Sequence, residues 1–231
     1  MKRTLLVVGS SRGIGAAVAR FFHDQGDTVL AVSRTPAAVG EWIEADLSSP
    51  VGIRQILKAV GDRPIDGLLF IAGVWEKNAF SPDFDFTQSP AEETQFIINV
   101  NLVAPIELTK SLVKNLSQAE NPRAIYMGSI SGTEQEVSAE VATAGSKFGL
   151  RGAVMALRHA LKPQGIGFTV INPGWVATDE VVEDMASGQS PQQVPIPMDD
   201  VVSAVNWVLS LSPHTEVGEI DLLQNRPGPS A

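Results

Sequence analysis

A glycine-rich turn near the start of the chain constrains the fold more than any other feature. The stretch TLLVVGSSRGIGAAVA places Gly9, Gly13 and Gly15 between an apolar run at 4–9 and an amphipathic run at 15–26. A short apolar run followed by glycine is typical of a buried strand, whereas the second run has its apolar residues at helical spacing. The chain is therefore expected to begin with a strand, a tight turn and a helix.

The same alternation continues along the sequence and indicates the fold class. Further strand patterns occur at 28–33, 42–46, 66–73, 123–129, 167–174 and 218–223. Further helical patterns occur at 50–61, 91–116, 143–161 and 198–211, whereas the segments 34–42, 74–90 and 175–197 are expected to be loops. Strands alternating with helices favour a parallel sheet covered on both faces. The sequence thus predicts an α/β protein, one single-domain Rossmann-type doubly wound sheet of about seven strands over residues 1–231.

Composition and charge exclude several classes of function. The net charge of the 231 residues is −9, which disfavours binding to nucleic acid or to an anionic membrane surface. The chain has no cysteine, and its three histidines are far apart, so no metal site is expected. The apolar run Leu5–Val8 is too short for a signal peptide or a membrane span, and no other run is expected to span a membrane. These observations predict a soluble, cytoplasmic protein.

The glycine turn has the properties that a pyrophosphate site requires. Its spacing allows close approach of the backbone, and the N-terminus of the following helix offers free N–H groups to an anion. The second strand ends with Ser33 and Arg34, where NAD-binding proteins usually place an acidic residue for the ribose 2′-hydroxyl. Arg12 in the glycine turn adds a second guanidinium, and two guanidiniums can hold a 2′-phosphate. The sequence therefore predicts NADP(H) as the cofactor.

Several motifs in this order resemble those of the short-chain dehydrogenase/reductase family. GSSRGIG (9–15) is similar to its cofactor loop, ADL (45–47) to its adenine contact, IAG (71–73) to the motif after its fourth strand, and NPGWVAT (172–178) to its Pro-Gly motif. The resemblance covers nearly the whole chain. It implies that the cofactor-binding residues are Gly9, Ser11, Arg12, Gly13, Ile14, Gly15, Arg34, Asp46, Leu47, Ala72, Gly73, Lys147, Pro173, Gly174, Val176 and Thr178.

The resemblance also implies a catalytic group, made of Asn101, Ser129, Thr143 and Lys147. In the family, serine and tyrosine hydroxyls bind the substrate oxygen, tyrosine passes the proton, lysine binds the nicotinamide ribose, and asparagine holds a water. The implied activity is NADP(H)-dependent hydride transfer to or from a small-molecule substrate. The implied assembly is a homodimer or homotetramer, built partly on the helices at 91–116 and 143–161.

Position 143 is the main departure from the family pattern, because threonine stands where the family has its tyrosine. An aliphatic hydroxyl is far too weak an acid for this role, and loss of a positioned general acid typically costs about 10²–10⁴ in rate. The single tyrosine of the chain, Tyr126, lies three residues before Ser129 on the same predicted strand. Its side chain is therefore expected on the opposite face of the sheet, in the core.

Three hypotheses stay open at this stage. The substrate could need no acid, as with a conjugated C=C bond or a cationic iminium. A carbonyl reductase could use another acid, either Glu134, Glu136 or Glu140 in the loop before Thr143, or Lys147 acting through water. The chain could instead be a non-catalytic NADP(H)-binding protein, acting as a sensor or assembly subunit. The stretch Trp75–Lys77, which follows the fourth strand, could line the pocket entrance or pack on the surface.

Overall fold

Seven parallel strands form a single sheet in the order β3-β2-β1-β4-β5-β6-β7. A computed structural model describes residues 2–134, 138–188 and 193–225 of the chain. The strands are β1 (Thr4–Val8), β2 (Thr28–Ser33), β3 (Glu41–Glu44), β4 (Gly67–Phe70), β5 (Arg123–Met127), β6 (Gly167–Pro173) and β7 (Glu219–Leu222). The strand order reverses between β1 and β4, which is the point where open α/β sheets bind their ligands. The predicted doubly wound fold is confirmed.

Helices cover both faces of this sheet. They are α1 (Gly13–Asp24), α2 (Pro50–Val60), α3 (Ala91–Ile98), α4 (Ala104–Leu116), α5 (Val141–Ala160), α6 (Asp179–Ser187) and α7 (Met198–Ser210). Apolar side chains of α2, α4 and α5 pack on one face, and those of α1 and α7 pack on the other. Because both faces are buried, the central strands β1 and β4 are almost entirely apolar rather than alternating.

The glycine turn lies at the point where the strand order reverses. β1 pairs with β2 and β4, with Val8 level with Val32 and Phe70. Gly9 has a φ of 94°, and a Cβ atom there would lie 2.7 Å from the backbone of Ala72. A larger residue at position 9 would therefore clash with the chain leaving β4, so glycine is required at this crossing.

The predicted helix at 91–116 is interrupted by a π-helical turn at Asn99–Val103, between α3 and α4. The segment Ala91–Leu116 is long and apolar enough to cross a membrane by length and composition, with a mean hydropathy of 1.4 in its best window. The expectation that no segment could do so is therefore wrong. In this fold the segment is a core helix, because Leu108, Leu112 and Leu116 are fully buried against the sheet.

The region 175–197 contains α6, whereas the sequence reading expected a loop throughout. The Thr178 hydroxyl accepts a hydrogen bond from the Val181 N–H at 3.2 Å and caps the helix, whose first turn is acidic. Gly188, with a φ of 77°, ends it. Residues 189–192 lie outside the described part of the chain. The segment 74–90 is a loop as predicted, with one 3₁₀ turn at Phe86–Gln88.

Candidate active site

A cavity of about 470 Å³ lies at the carboxyl edge of the sheet, beside the glycine turn. All of the residues that the resemblance assigned to the cofactor lie on its wall: Gly9, Ser11, Arg12, Gly13, Ile14, Gly15, Arg34, Asp46, Leu47, Ala72, Gly73, Lys147, Pro173, Gly174, Val176 and Thr178. Ser129 and Thr143 lie on the same wall, whereas Asn101 does not. The fold therefore brings the glycine turn and the predicted reaction centre into one continuous space.

The glycine turn is shaped for close approach of an anion. A Cβ atom at Gly15 would overlap the carbonyl oxygen of Gly9, and Gly13 has a φ of 54°. Helix α1 begins at Gly13, and the first turn of that helix carries no acidic residue. Free N–H groups and a positive helix end therefore face the cavity without a competing carboxylate from α1. These residues fit a pyrophosphate.

Two guanidiniums, those of Arg12 and Arg34, line the cavity. Arg12 donates a hydrogen bond from Nη1 to Glu180 Oε2 at 3.0 Å, linking the glycine turn to α6. This pair is solvent-exposed, with 71% and 42% of the two side chains accessible. Arg34 has no ion pair within the described residues. Asp46 accepts a hydrogen bond from the Ser48 N–H at 2.9 Å and shapes the adjacent turn.

Lys147 is a buried cation in the floor of the cavity. Its Nζ donates to the carbonyl oxygen of Met127, the last residue of β5, at 2.8 Å. A Cβ atom at Gly73 would lie 3.3 Å from this Nζ, so the ammonium sits against the end of the β4 strand. Burial disfavours the charged form and lowers the pKa of Lys147 to about 8. No carboxylate among the described residues forms an ion pair with it.

Asn101 fixes the backbone beside the cavity rather than lining it. Its Oδ1 accepts from the Val74 N–H at 2.9 Å, and its Nδ2 donates to the Val74 carbonyl at 2.8 Å. The same Nδ2 donates to Ser146 Oγ at 3.0 Å. The π-helical turn aims this side chain at the chain leaving β4. The water-holding role implied for Asn101 stays a prediction.

Ser129 stands just after β5 and is half-buried. Its hydroxyl accepts a hydrogen bond from the Ser131 N–H at 3.1 Å and begins a 3₁₀ turn at Ile130–Gly132. Within the described residues this hydroxyl donates no hydrogen bond of its own, so its hydrogen can serve a ligand in the cavity. The substrate-binding role implied for this serine is consistent with its place on the cavity wall.

Thr143 is held by Glu76, which belongs to the stretch Trp75–Lys77 considered for the pocket entrance; of these three residues only Trp75 lines the cavity. Glu76, in the loop after β4, is only 3% exposed. Its Oε2 accepts a hydrogen bond from Thr143 Oγ1 at 2.5 Å, and its Oε1 accepts from the N–H groups of Ala142 at 2.8 Å and Thr143 at 3.2 Å. Glu76 therefore caps the N-terminus of α5 and lies behind Thr143, outside the cavity lining.

The carboxylates considered as substitute acids lie elsewhere. Glu134 is exposed and pairs with Arg151 at 3.6 Å. Glu140 is buried, and its Oε1 accepts from the N–H of the cavity-lining Phe80 at 2.6 Å. Glu136 lies outside the described residues. Neither of the two described carboxylates lines the cavity.

Tyr126 lies in the core, as predicted. It is fully buried on the face covered by α4, and its hydroxyl shares a 2.6 Å hydrogen bond with the hydroxyl of Thr109. Burial raises the pKa of Tyr126 above its ordinary value. This residue is the single tyrosine of the sequence and does not line the cavity, so no phenol lines the cavity.

Aromatic side chains form one wall of the cavity. Phe80 packs between Trp75, at a centroid distance of 6.4 Å, and Trp175, at 5.2 Å. Phe80 has a φ of 64°, which is unusual for a bulky residue, and Glu140 holds its N–H in that conformation. Among the described residues, no group of three or more histidine and carboxylate side chains is placed to hold a metal ion. The wall formed by Trp75, Phe80 and Trp175 is suited to an organic ligand.

The sequence matches a family model and curated proteins. The family model "short chain dehydrogenase" matches residues 3–187. The short chain dehydrogenase adrF of Penicillium roqueforti is 32% identical over 185 residues, which are 75% of this chain and 70% of that protein.

Two solved structures share the fold. A 4-hydroxyisoleucine dehydrogenase complexed with NADH superposes with a TM-score of 0.80 at 21% identity, covering 96% of this chain and 97% of that one. BdcA in complex with NADPH gives 0.79 at 18% identity, covering 99% and 96%. From the family match and the adrF relationship together, the chain belongs to the short chain dehydrogenase family of oxidoreductases.

Proposed function

We propose that the chain is an NADP(H)-dependent oxidoreductase that transfers hydride to or from a small organic substrate without a tyrosine acid. The observation that carries this proposal is that Ser129, Thr143 and Lys147 line the same cavity as the glycine turn. A nicotinamide bound there supplies the hydride. Lys147 holds its ribose, and Ser129 and Thr143 orient the substrate. The reducible group is a carbonyl, a conjugated C=C bond or an imine.

The choice of NADP(H) over NAD(H) rests on charge at the mouth of the cavity. Arg12 and Arg34 both line it, and Ser33 stands where an acid would bind a ribose 2′-hydroxyl. The exposed contact between Arg12 and Glu180 is weak enough for a phosphate to displace, because such surface pairs contribute about 0–1 kcal/mol. Solved structures of this fold carry NADH in one case and NADPH in another, so the fold alone does not select the cofactor, and the proposal of NADP(H) rests on Arg12 and Arg34.

The same residues support a second candidate, a non-catalytic NADP(H)-binding protein that acts as a sensor or assembly partner. It is supported by the threonine at position 143, where the family resemblance implies a tyrosine. In either case we propose a soluble, cytoplasmic homodimer or homotetramer. Apolar side chains left exposed on and beside the two family assembly helices, among them Val103, Phe148 and Met155, support this assembly.

Isotope transfer tests catalysis without knowledge of the substrate. Purified protein is first shown to bind NADPH, then incubated with NADPH deuterated at the transferable position and a small-molecule extract of its host. Mass spectrometry then searches for metabolites that gain one deuterium, with the Lys147→Ala variant as control. A labelled product supports the oxidoreductase. Binding without any labelled product, in extracts from several growth conditions, supports the non-catalytic candidate.

The Thr143→Tyr variant tests whether only the acid is missing. A phenol at position 143 should create reduction of simple ketones, with a gain of about 10²–10⁴ over the parent chain. The assay follows NADPH oxidation, and nucleotide affinity is measured alongside to confirm an intact site. A variant that binds NADPH but gains no ketone reduction would show that position 143 is not the tyrosine position of this site.

A further inference from the structure

We propose that the substrate carries a cationic nitrogen, as an iminium ion for reduction or the corresponding amine for oxidation. In this proposal Glu76 supplies the negative charge that selects it, acting through Thr143. The inference rests on the proposed hydride transfer and names the substrate class of that same site. It depends on three features of the described residues: a carboxylate without a basic partner, the orientation of a hydroxyl, and an aromatic wall.

The first feature is the environment of the Glu76 carboxylate. It is 3% exposed, and its hydrogen-bond partners are three donors: two backbone N–H groups of α5 and the Thr143 hydroxyl. An ionised carboxylate is an acceptor only, so this set of partners suits the ionised form. No lysine, arginine or histidine in the described part of the chain forms an ion pair with Glu76. Buried charges are usually paired, so a cation in the adjacent cavity would complete the site.

The second feature is the direction of the hydrogen bond at Thr143. Its hydroxyl hydrogen is committed to Glu76 at 2.5 Å, which leaves only oxygen lone pairs for a ligand. Thr143 lines the cavity, so this position offers a ligand an acceptor. A tyrosine acid in the same place would instead donate to a carbonyl oxygen. A ligand with an N–H⁺ group matches the acceptor, whereas a carbonyl oxygen does not.

The third feature is the wall formed by Trp75, Phe80 and Trp175. The Phe80 ring lies 6.4 Å from Trp75 and 5.2 Å from Trp175, and all three residues line the cavity that Thr143 also lines. Aromatic faces attract organic cations, and the attraction grows when the cation is shielded from water. A neutral alcohol could also donate to Thr143. The combined effect of the buried charge and the rings favours a cation over such an alcohol.

This substrate class also accounts for the absence of a phenol. Hydride from C4 of the reduced nicotinamide adds to the iminium carbon, and the C=N π electrons become the nitrogen lone pair. The products are a neutral amine and the oxidised cofactor, so charge and electrons balance without a proton in that step. The iminium N–H donates to Thr143, which donates to Glu76. The reaction therefore needs a hydrogen-bond acceptor at Thr143, with the negative charge of Glu76 behind it, rather than an acid.

Binding of matched ligands tests the proposal without requiring turnover. The protein is saturated with NADP⁺ and titrated with 1,2,3,4-tetrahydroisoquinoline, a cation at neutral pH, or with its neutral isostere isochroman. The wild-type protein should bind the cation at least tenfold more tightly. Glu76→Gln should remove this preference, because its amide NH₂ can donate to Thr143 and turn the hydroxyl hydrogen toward the cavity. Glu93→Gln is the matched control, since Glu93 accepts from the N–H of neighbouring Lys77 at 2.7 Å but does not contact Thr143.

Reduction is then compared for 3,4-dihydroisoquinoline and 1-tetralone by oxidation of NADPH. Equal affinity for the two ligands in the wild-type protein, or a preference that survives in folded Glu76→Gln, overturns the proposal. Cofactor binding with reduction of 1-tetralone but not of the iminium overturns this proposal alone, whereas failure to bind any nicotinamide nucleotide overturns the proposed function too. If Glu76→Gln does not fold, the wild-type comparison of cation with isostere decides.

Discussion

Removal of the Arg34 guanidinium should leave the protein with nearly equal affinity for NADPH and NADH. Arg34 lines the cavity and has no ion pair among the described residues, so its whole interaction with a 2′-phosphate contributes to affinity. A hydrogen bond to a charged group contributes about 1.5–3 kcal/mol, and about 1.4 kcal/mol corresponds to a factor of ten. Arg34→Ala is therefore expected to weaken NADPH binding by about 10–100-fold and to leave NADH binding nearly unchanged.

Arg12 should contribute less than Arg34, because it must first leave Glu180. The exposed pair is worth about 0–1 kcal/mol, which reduces the net gain from a phosphate by up to about fivefold. Glu180→Gln should accordingly raise NADPH affinity by up to about fivefold. The double variant Arg12→Ala/Glu180→Gln should bind NADPH no more tightly than Arg12→Ala alone, because the Glu180 carboxylate acts on the phosphate mainly through Arg12.

Titration calorimetry at fixed ionic strength measures these affinities for NADPH and NADH. Arg20→Ala is a suitable control, because Arg20 is exposed on α1 and does not line the cavity. An equal loss of affinity for both nucleotides in Arg34→Ala would mean that Arg34 maintains the shape of the site rather than binding the 2′-phosphate. No loss for either would refute the assignment of NADP(H).

Two further predictions concern α5. The pKa of Lys147 is about 8 in the folded chain, against 10.5 for an exposed lysine. Between these two pH values the unfolded state binds more protons than the folded state. The contribution of Lys147 to the free energy of unfolding therefore rises with pH. The free energy of unfolding of the wild type and of Lys147→Met is measured with denaturant at pH 7.5 and 9.5. From the lower to the higher pH the wild type should gain about 2 kcal/mol relative to the variant. The same difference between the two proteins at both pH values would mean that the lysine is exposed to water. Phe148→Glu should shift the protein to a monomer in light scattering, whereas Trp207→Glu on α7 should not; unaltered mass in both would remove α5 from the interface.

The strands and most helices could be predicted because their signals are local. Fully apolar runs such as the one at β1 are typical of strands buried on both faces, and the glycine turn fixes where α1 begins. Helix α6 was missed although Thr178 and Gly188 are ordinary capping residues. Three prolines in the second half of the 175–197 segment favoured a loop, and the nine-residue helix ends before the first of them.

The candidate site could be predicted only where a motif marked it. The glycine turn, Ser129 and Lys147 belong to recognisable patterns, and the fold places them on one cavity. Glu76 carries no such pattern, since it stands in a loop that could equally have been surface. Its burial arises because the loop after β4 meets the start of α5, 66 residues later in the chain. A carboxylate following the fourth strand, combined with a small polar residue at position 143, is the one signal that could have indicated it.

The π-helical turn at Asn99–Val103 makes the site depend on helical phase. Such a turn accommodates one extra residue. Helices α3 and α4 therefore both keep their buried faces, although the apolar positions of one are shifted by one residue along the sequence relative to those of the other. Deleting one residue here would restore a regular helix whose two halves keep their buried faces, but it would remove the wide turn that carries Asn101. Asn101 would then lose both hydrogen bonds to Val74, and the chain beside Gly73 would lose its anchor. Length in this helix is therefore under stricter constraint than composition, and single-residue deletions should be tolerated far less well here than conservative substitutions.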